Sequence, residues 1–228
     1  MAVINDPNTA AHIAQVGPVS TASTQYTLHC GIYPIPYGSN GHYYLSNSHA
    51  IPVSATANGH RFAMRNTSAS KLVVLTYLRM WDVQLTAATA TIEQGWQAFI
   101  ARSFTTFHTT NTTNFTLTGN NQKRRTSMAT VTAIGNAAHS SNVAAGMTGQ
   151  TLTADAHAFA HLQTVQTITT PNTSFWMIER DFDSGSGGHP IVLAQNEGII
   201  ITGPTTVSGA AGTQQFGYTL SWAEVDAY

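Results

Sequence analysis

Charged residues are scarce in this chain. Asp, Glu, Lys and Arg make up only 8% of its 228 residues, against about 25% in an average globular domain. The formal net charge is -1, so the sequence lacks the basic surface of proteins that bind nucleic acid or anionic membranes. We therefore expect neither partner. A nearly uncharged surface also gives little protection against self-association, which favours a chain that packs against other protein copies.

Cysteine and long apolar runs are also missing. The single cysteine, Cys30, excludes an intrachain disulfide and a cysteine-based zinc site. No apolar run approaches the roughly 20 residues that span a bilayer. The first residues, MAVINDP, have neither the basic nor the apolar region of a signal peptide. We therefore expect synthesis and folding in a reducing cytoplasm.

Motifs that carry catalysis are absent as well. The sequence contains no P-loop, dinucleotide fingerprint or Cys/His constellation. The best local metal candidate is the pair His157 and His161, but position 158 is Ala, so the glutamate of the zinc-protease motif is missing. We expect no enzyme activity, no metal and no cofactor. A sandwich hydrolase or metal-dependent enzyme remains an alternative that metal analysis of the purified protein would reveal.

Hydroxyl side chains take the place of the missing charges. The chain has 34 threonines and 17 serines, and β-branched threonine favours strands. From residue 27 onward, short apolar or alternating runs are separated by Gly, Pro, Asn and Ser clusters, as in sandwiches and barrels. We predict an all-β fold: a jelly-roll-like, two-sheet antiparallel sandwich of about eight to ten strands. Residues 26–228 would form this single domain. Residues 1–25 would form an extended N-terminal arm, with at most a helical turn at 6–16.

Two runs are predicted as the main strands. Residues 71–85 place Leu72, Val74, Leu78 and Met80 on one face and Val73, Leu75, Tyr77, Trp81 and Val83 on the other. Both faces are apolar, which is typical of a central strand covered on two sides. In the last run, Phe216, Tyr218, Leu220 and Trp222 alternate with polar or small residues, as in a half-buried strand. We predict these four side chains and Trp81 as core anchors.

Weaker patterns predict further strands at residues 61–64, 96–104, 115–117, 128–134 and 174–178. The sequence of residues 191–201 indicates a strand, a tight turn and a second strand, with Gly198 able to take a positive φ.

Two features are candidates for partner contact. Lys123, Arg124 and Arg125 form the only dense charge run and hold three of the chain's nine basic residues. They suit an acidic protein surface or phosphates, or else a solvated loop. Tyr33 and Tyr37, followed by Tyr43 and Tyr44, alternate with Pro and Gly. Their rings suit either a sugar or a protein interface.

Two segments resemble structural proteins of tailed bacteriophages and prophages. These are residues 117–128, LTGNNQKRRTSM, and residues 189–225, which end GYTLSWAEV; together they cover about a fifth of the chain. The resemblance implies a virion protein made in the host cytoplasm. It further implies a capsid cement or decoration protein that contacts the major capsid protein, and it supplies no catalytic residues.

Closed cyclic symmetry would bury the neutral faces of such a protein, and a threefold suits an icosahedral head, so we expect a homotrimer. The alternative is a glycan- or receptor-binding sandwich module of a phage tail.

Overall fold

The computed structural model describes residues 15–16, 26–27, 41–52, 59–118, 122–141, 145–168, 175–182, 190–203 and 212–226. The chain divides into two compact units, residues 1–36 and 37–228. In the first unit, β1 (Gln15–Val16) pairs with β2 (Tyr26–Thr27) in antiparallel fashion. Most of the predicted arm, including nearly all of the possible helical turn, lies outside the described residues.

The second unit is a sandwich of two antiparallel sheets, as predicted. The five-stranded sheet has the order β11-β5-β14-β3, with β12 also paired to β5. Its strands are β3 (His42–Pro52), β5 (Leu72–Gln84), β11 (Phe175–Asp181), β12 (Ile191–Leu193) and β14 (Thr213–Val225). The described part of the chain contains no helix, and hence none that could cross a membrane.

The seven-stranded sheet has the order β10-β6-β13-β4-β8-β7, with β9 also paired to β6. Its strands are β4 (His60–Asn66), β6 (Ile92–Thr106), β7 (Thr112–Asn114), β8 (Ile134–Ser140), β9 (Thr151–Ala154), β10 (Ala160–Gln166) and β13 (Gly198–Thr202).

The strand connections nest in the order of a jelly roll. Among β3, β4, β5, β6, β10, β11, β13 and β14, the first pairs with the last, β3 with β14. Inside this pair, β4 pairs with β13, β5 with β11 and β6 with β10. The four pairs alternate between the two sheets, which gives the double-sheet arrangement of eight-stranded jelly rolls. Strands β7, β8 and β9 are insertions between the fourth and fifth of these strands.

The core lies between the sheets and is rich in aromatic rings. Phe216, Tyr218, Leu220 and Trp222 of β14 are all fully buried. The Phe216 ring stacks on Trp96 with centroids 3.9 Å apart, and Tyr218 packs on Phe62 at 4.7 Å. Because β14 lies between β3 and β5, its inward face contributes these anchors to the centre of the sandwich.

A bulge in β5 changes the predicted faces of that strand. Ser221 pairs with Tyr77 but Trp222 pairs with Leu75, so Thr76 is the extra residue. The bulge turns Val73 and Leu75 inward, into the same core cluster as Leu78 and Met80. The face assignment for residues 72–75 was therefore wrong.

Trp81 also differs from its prediction as a core anchor. Its side chain is half-buried and lies on the outer side of the five-stranded sheet.

Two predicted strands are not strands. Residues 115–117 and 128–133 fall outside the strands, since β7 ends at Asn114 and β8 begins at Ile134. The Phe115 N–H still donates to the Ala137 carbonyl at 2.8 Å, and the pairing with β8 stops there.

In the second segment the buried Glu224 carboxylate accepts hydrogen bonds from the backbone N–H groups of Thr132 and Ala133, and the Met128 N–H donates to the Arg125 carbonyl. These donors are therefore not directed at a neighbouring strand.

The turn between β12 and β13 forms as predicted, but its positive φ belongs to Asn196, at 60°. Gly198 serves a different purpose. A Cβ at that position would come within 2.0 Å of the Met64 carbonyl oxygen, so glycine allows β13 to approach β4 closely.

The outer face of the seven-stranded sheet carries a second, smaller core. Small side chains of the sheet lie beneath residues of the insertion between β6 and β10. This cluster contains Ala63, Ala101, Phe104, Ala138, Met147 and Ile200, with Phe99, Phe107 and Leu152 packed against it. The chain therefore covers this outer face with its own residues.

Candidate functional site

The outer face of the five-stranded sheet is the candidate functional surface. Register across β11, β5, β14 and β3 places its residues in four rows. The rows are Phe175, Val83, Gln215 and Ala50; Met177, Trp81, Gly217 and Ser48; Glu179, Arg79, Thr219 and Ser46; and Asp181, Tyr77, Ser221 and Tyr44. On the β11 side the first two rows are apolar and the last two carry Glu179, Arg79 and Asp181, whereas the β3 side is mostly hydroxyl-bearing.

The apolar side forms an exposed patch, here called the β11 patch, made of Val83, Trp81, Phe175 and Met177. Phe175 is 56% and Met177 45% exposed. The Trp81 and Phe175 rings stack with centroids 6.4 Å apart and planes 30° from parallel. A Cβ on Gly217 would come within 2.2 Å of the Trp81 ring, so the absence of a side chain there lets the indole lie flat on the sheet.

Polar groups border the patch on the next two rows. The Tyr77 hydroxyl donates a hydrogen bond to the Glu179 carboxylate. Burial, this hydrogen bond and the negative charge of Glu179 raise the pKa of Tyr77 to about 12, so the phenol keeps its proton at neutral pH. Arg79 lies between Tyr77 and Trp81 on the same strand face. The border thus carries both signs of charge beside the aromatic rings.

The basic segment 123–125 reaches the opposite end of the same face. The Arg124 backbone N–H donates to the His42 carbonyl at 2.9 Å, and its guanidinium donates to the Ser221 hydroxyl at 2.6 Å. The guanidinium also lies 5.7 Å from the centroid of the Tyr44 ring. Lys123 is half-buried opposite Tyr43 in an isolated bridge, whereas Arg125 is exposed. The segment is therefore attached along β3, with Arg124 and Arg125 open to a partner.

The tyrosine-rich stretch is divided between the core and the surface. Tyr33 and Tyr37 lie outside the described residues. Tyr43 is fully buried and donates to the Ala129 carbonyl at 2.9 Å, so it packs the sandwich. Tyr44 is 39% exposed on the outer face. Of the tyrosines that the structure describes in this stretch, only Tyr44 is placed for partner contact.

A groove of about 310 Å³ lies beside β7 and β8. One wall is residues 114–118, and the other is Val131 with residues 134–137. Its apolar lining includes Phe115, Leu117 and Val131, which are half-buried and pack against the main core. The Glu224 carboxylate fixes the second wall through the backbone hydrogen bonds described above.

Two histidines inside the body form a buried pair. His60 Nδ1 and His108 Nε2 are 2.6 Å apart. Burial lowers the pKa of His60 to about 4, and burial together with the neighbouring His60 lowers the pKa of His108 to about 3. Both rings are less than 9% exposed, so the pair joins the start of β4 to the loop after β6 rather than facing a substrate.

The candidate metal-binding histidines are on the surface. His157 lies in the bend before β10 and His161 in β10, and both are exposed. The nearby Asp155 accepts hydrogen bonds from the Arg102 guanidinium, the shorter at 2.7 Å. Across the described ranges, no three His, Cys, Asp or Glu side chains group as a metal site requires.

Sequence reasoning missed the exposure of Phe175 and Met177. The run Phe175, Trp176, Met177 and Ile178 is apolar on both faces, so alternation could not show which face stays uncovered. The glycine opposite Trp81 was the available signal, because a glycine within a strand often marks a close approach.

Comparisons of this chain with protein-family models, with curated proteins and with solved structures find no match.

Proposed function

We propose that this chain is a non-enzymatic virion structural protein, a capsid cement or decoration protein that stabilises a phage head through protein contacts. Its partners would be further copies of itself, in a homotrimer, and the major capsid protein. The observation that carries the proposal is the β11 patch, an exposed aromatic and methionine surface on a rigid sheet.

The composition of this surface supports a protein partner. Protein interfaces are enriched in Trp, Tyr, Phe, Met and Arg and depleted in Lys and Glu, and binding energy concentrates in Trp, Tyr and Arg. The β11 patch and its border supply Trp81, Phe175, Met177, Tyr77 and Arg79. The hydroxyl rows toward β3 add a nearly neutral rim that costs little to desolvate compared with charges.

Immunogold electron microscopy tests the assignment to a virion. Particles are purified from cells that express the gene in its natural context and labelled with antibodies against the full chain. We expect label on heads, at many sites per particle. Label on tails would favour the tail-module alternative. Unlabelled particles would contradict the proposal as a whole.

One observation favours the alternative of a glycan-binding tail module. The flat Trp81 indole lies beside Arg79 and Gln215, and a ring next to hydrogen-bonding groups suits a sugar. A glycan array probed with the full chain, and with the Trp81→Ala variant, separates the two functions. The cement function predicts no specific glycan, whereas binding that Trp81→Ala abolishes would establish the alternative.

A further inference from the structure

We propose that the Thr164 hydroxyl and the Gln94 side-chain amide react with each other after folding, which forms an ester bond between β10 and β6 and releases ammonia. Asp82 is the general base of this reaction. The reaction takes place once in each chain and has no turnover, so it agrees with a non-enzymatic function. It does not depend on the cement function, and it assigns a covalent modification site inside the sandwich.

Thr164 and Gln94 lie directly opposite each other on neighbouring strands. They are register partners in the antiparallel pair of β10 and β6. Both side chains face the core, since Thr164 is fully buried and Gln94 is 2% exposed. Directly opposite residues have Cβ atoms about 4.5–5.5 Å apart, and a glutamine side chain is long enough to span this distance. The register therefore brings the hydroxyl within reach of the amide carbon.

A buried carboxyl group approaches the threonine from the other sheet. Asp82 of β5 is fully buried, and its Oδ2 accepts a hydrogen bond from the Trp96 indole N–H at 2.8 Å. Trp96 is two residues after Gln94 and faces the core with it. The other oxygen, Asp82 Oδ1, and the Thr164 hydroxyl are both buried without a well-formed hydrogen bond among the described residues. Both groups are therefore available to react.

The surroundings of Asp82 suit a general base. Burial raises the pKa of this carboxyl group to about 7, although the Trp96 N–H and the nearby Thr164 hydroxyl oppose the rise. A catalytic base is most efficient when its pKa lies near the pH at which it works. Because the Trp96 hydrogen bond holds Oδ2, Oδ1 is the oxygen that takes the threonine proton.

Atoms and protons balance without a further reactant. Asp82 Oδ1 takes the proton of Thr164 Oγ1 while that oxygen forms a bond to Gln94 Cδ, as hydroxyl nucleophiles with an adjacent base do. The Cδ–Nε2 bond then breaks, and the proton passes from Asp82 to the leaving nitrogen, which departs as ammonia. In water the ammonia becomes ammonium, which has no lone pair to attack the ester. Burial of both side chains keeps water from hydrolysing the product.

The ester would serve the fold in two ways. A buried hydroxyl without a hydrogen-bond partner destabilises the folded state, and the reaction removes this group. The bond also has a useful position, because β10 is the terminal strand of the seven-stranded sheet. Its covalent attachment to β6 keeps this strand from separating from the sheet.

Mass spectrometry of the denatured full chain tests the proposal. The wild-type mass should be lower by one ammonia than the mass of the sequence, counted with or without Met1. Trypsin leaves Gln94 in fragment 80–102 and Thr164 in fragment 126–180, and these fragments should appear as one linked pair. Fragmentation should place the link at the two residues. Alkaline hydroxylamine, which cleaves esters, should separate the pair.

Variants assign the roles of the side chains. Thr164→Val keeps the shape and removes the hydroxyl, so it should retain its full mass, whereas Thr164→Ser keeps a nucleophile and should lose ammonia. Asp82→Asn removes the base and should form the bond about 100-fold more slowly, measured by mass in a time course after cell-free synthesis. Thr151→Val is the matched control, because Thr151 is exposed on β9, and it should lose ammonia as wild type does.

The results that would overturn the inference are distinct. Circular dichroism shows whether each variant is folded, and the wild-type digest depends on no variant. A wild type at its full mass, or one that loses ammonia without a linked pair of fragments, would contradict the ester. A link that persists in Thr164→Val would exclude Thr164 as the nucleophile. Bond formation in Asp82→Asn at the wild-type rate would exclude Asp82 as the base.

Discussion

The carboxylate of Glu224 offers a sharp test of what holds the groove in place. It is fully buried and accepts hydrogen bonds from the backbone N–H groups of Thr132, Ala133 and Ile134 and from the Thr132 hydroxyl. The shortest of these bonds are 2.9 Å. We predict that Glu224→Gln, which keeps the shape and removes the charge, destabilises the protein.

The magnitude follows from the number of donors. A hydrogen bond to a charged group contributes about 1.5–3 kcal/mol and a neutral one about 0.5–1.5 kcal/mol, so three backbone donors together lose about 3 kcal/mol. Burying a neutral amide costs less free energy than burying a carboxylate, and this difference offsets roughly 1 kcal/mol of the loss. The net loss is about 2 kcal/mol. For a body of this size it corresponds to a melting temperature lower by about 4 to 8 °C.

Urea unfolding and hydrogen exchange measure the effect. Glu93→Gln is the matched control, because Glu93 is exposed on β6, and it should stay within about 0.5 kcal/mol of wild type. In Glu224→Gln, the amides of residues 132–134 should exchange faster than those of β14. A loss below about 0.5 kcal/mol, or unchanged exchange at these amides, would refute the role assigned to Glu224.

Three further predictions concern the body of the sandwich. Trp222→Ala should lower the free energy of unfolding by about 3–5 kcal/mol, as truncation of a buried aromatic does; a loss under 1 kcal/mol in urea would remove Trp222 from the core anchors. Gly217→Ala should cost about 1–3 kcal/mol because its Cβ meets the Trp81 ring, and the cost should vanish in a Trp81→Ala background, which a double-mutant cycle measures. The lowered pKa values of His60 and His108 predict a loss of stability in acid. The unfolded chain takes up protons as pH falls below about 6.5 while the folded pair stays neutral down to about 4 and about 3, so stability is complete above pH 6.5 and decreases through this window. Melting temperatures from pH 7.5 to 4 should fall less steeply in His60→Gln/His108→Gln, and parallel curves would contradict this account.

The sequence predicted β14 far better than β5, and the reason is physical. β14 alternates large apolar with polar or small residues because only one of its faces meets the core, so its pattern identifies the buried side directly. β5 is apolar on both faces. A one-residue bulge exchanges the faces of residues 72–75 without changing the composition of the strand. Because both faces are apolar, alternation also could not show that the face carrying Trp81 is the outer one.

Loss of strand pairing at residues 128–133 could not be predicted from local sequence either. The segment has acceptable strand propensity, but the backbone donors of Thr132 and Ala133 are taken by Glu224, about 90 residues later in the chain. The groove that results is therefore a product of tertiary contacts. By contrast, the jelly-roll class depends on the spacing of many short runs, which local patterns report well.

The two outer faces of the sandwich are treated differently, and this difference indicates where a partner belongs. On the seven-stranded sheet, alanines at positions 63, 101 and 138 leave room for Phe104 and Met147 to cover the surface. On the five-stranded sheet, the corresponding outward positions hold large side chains at the β11 side, and no element among the described residues covers them. An apolar sheet surface has to be buried. The seven-stranded sheet meets this requirement with small side chains beneath residues of the same chain, whereas the large side chains of the five-stranded sheet stay uncovered. The outer face of the seven-stranded sheet is buried by the chain itself, so the outer face of the five-stranded sheet is the one that a neighbouring protein would bury.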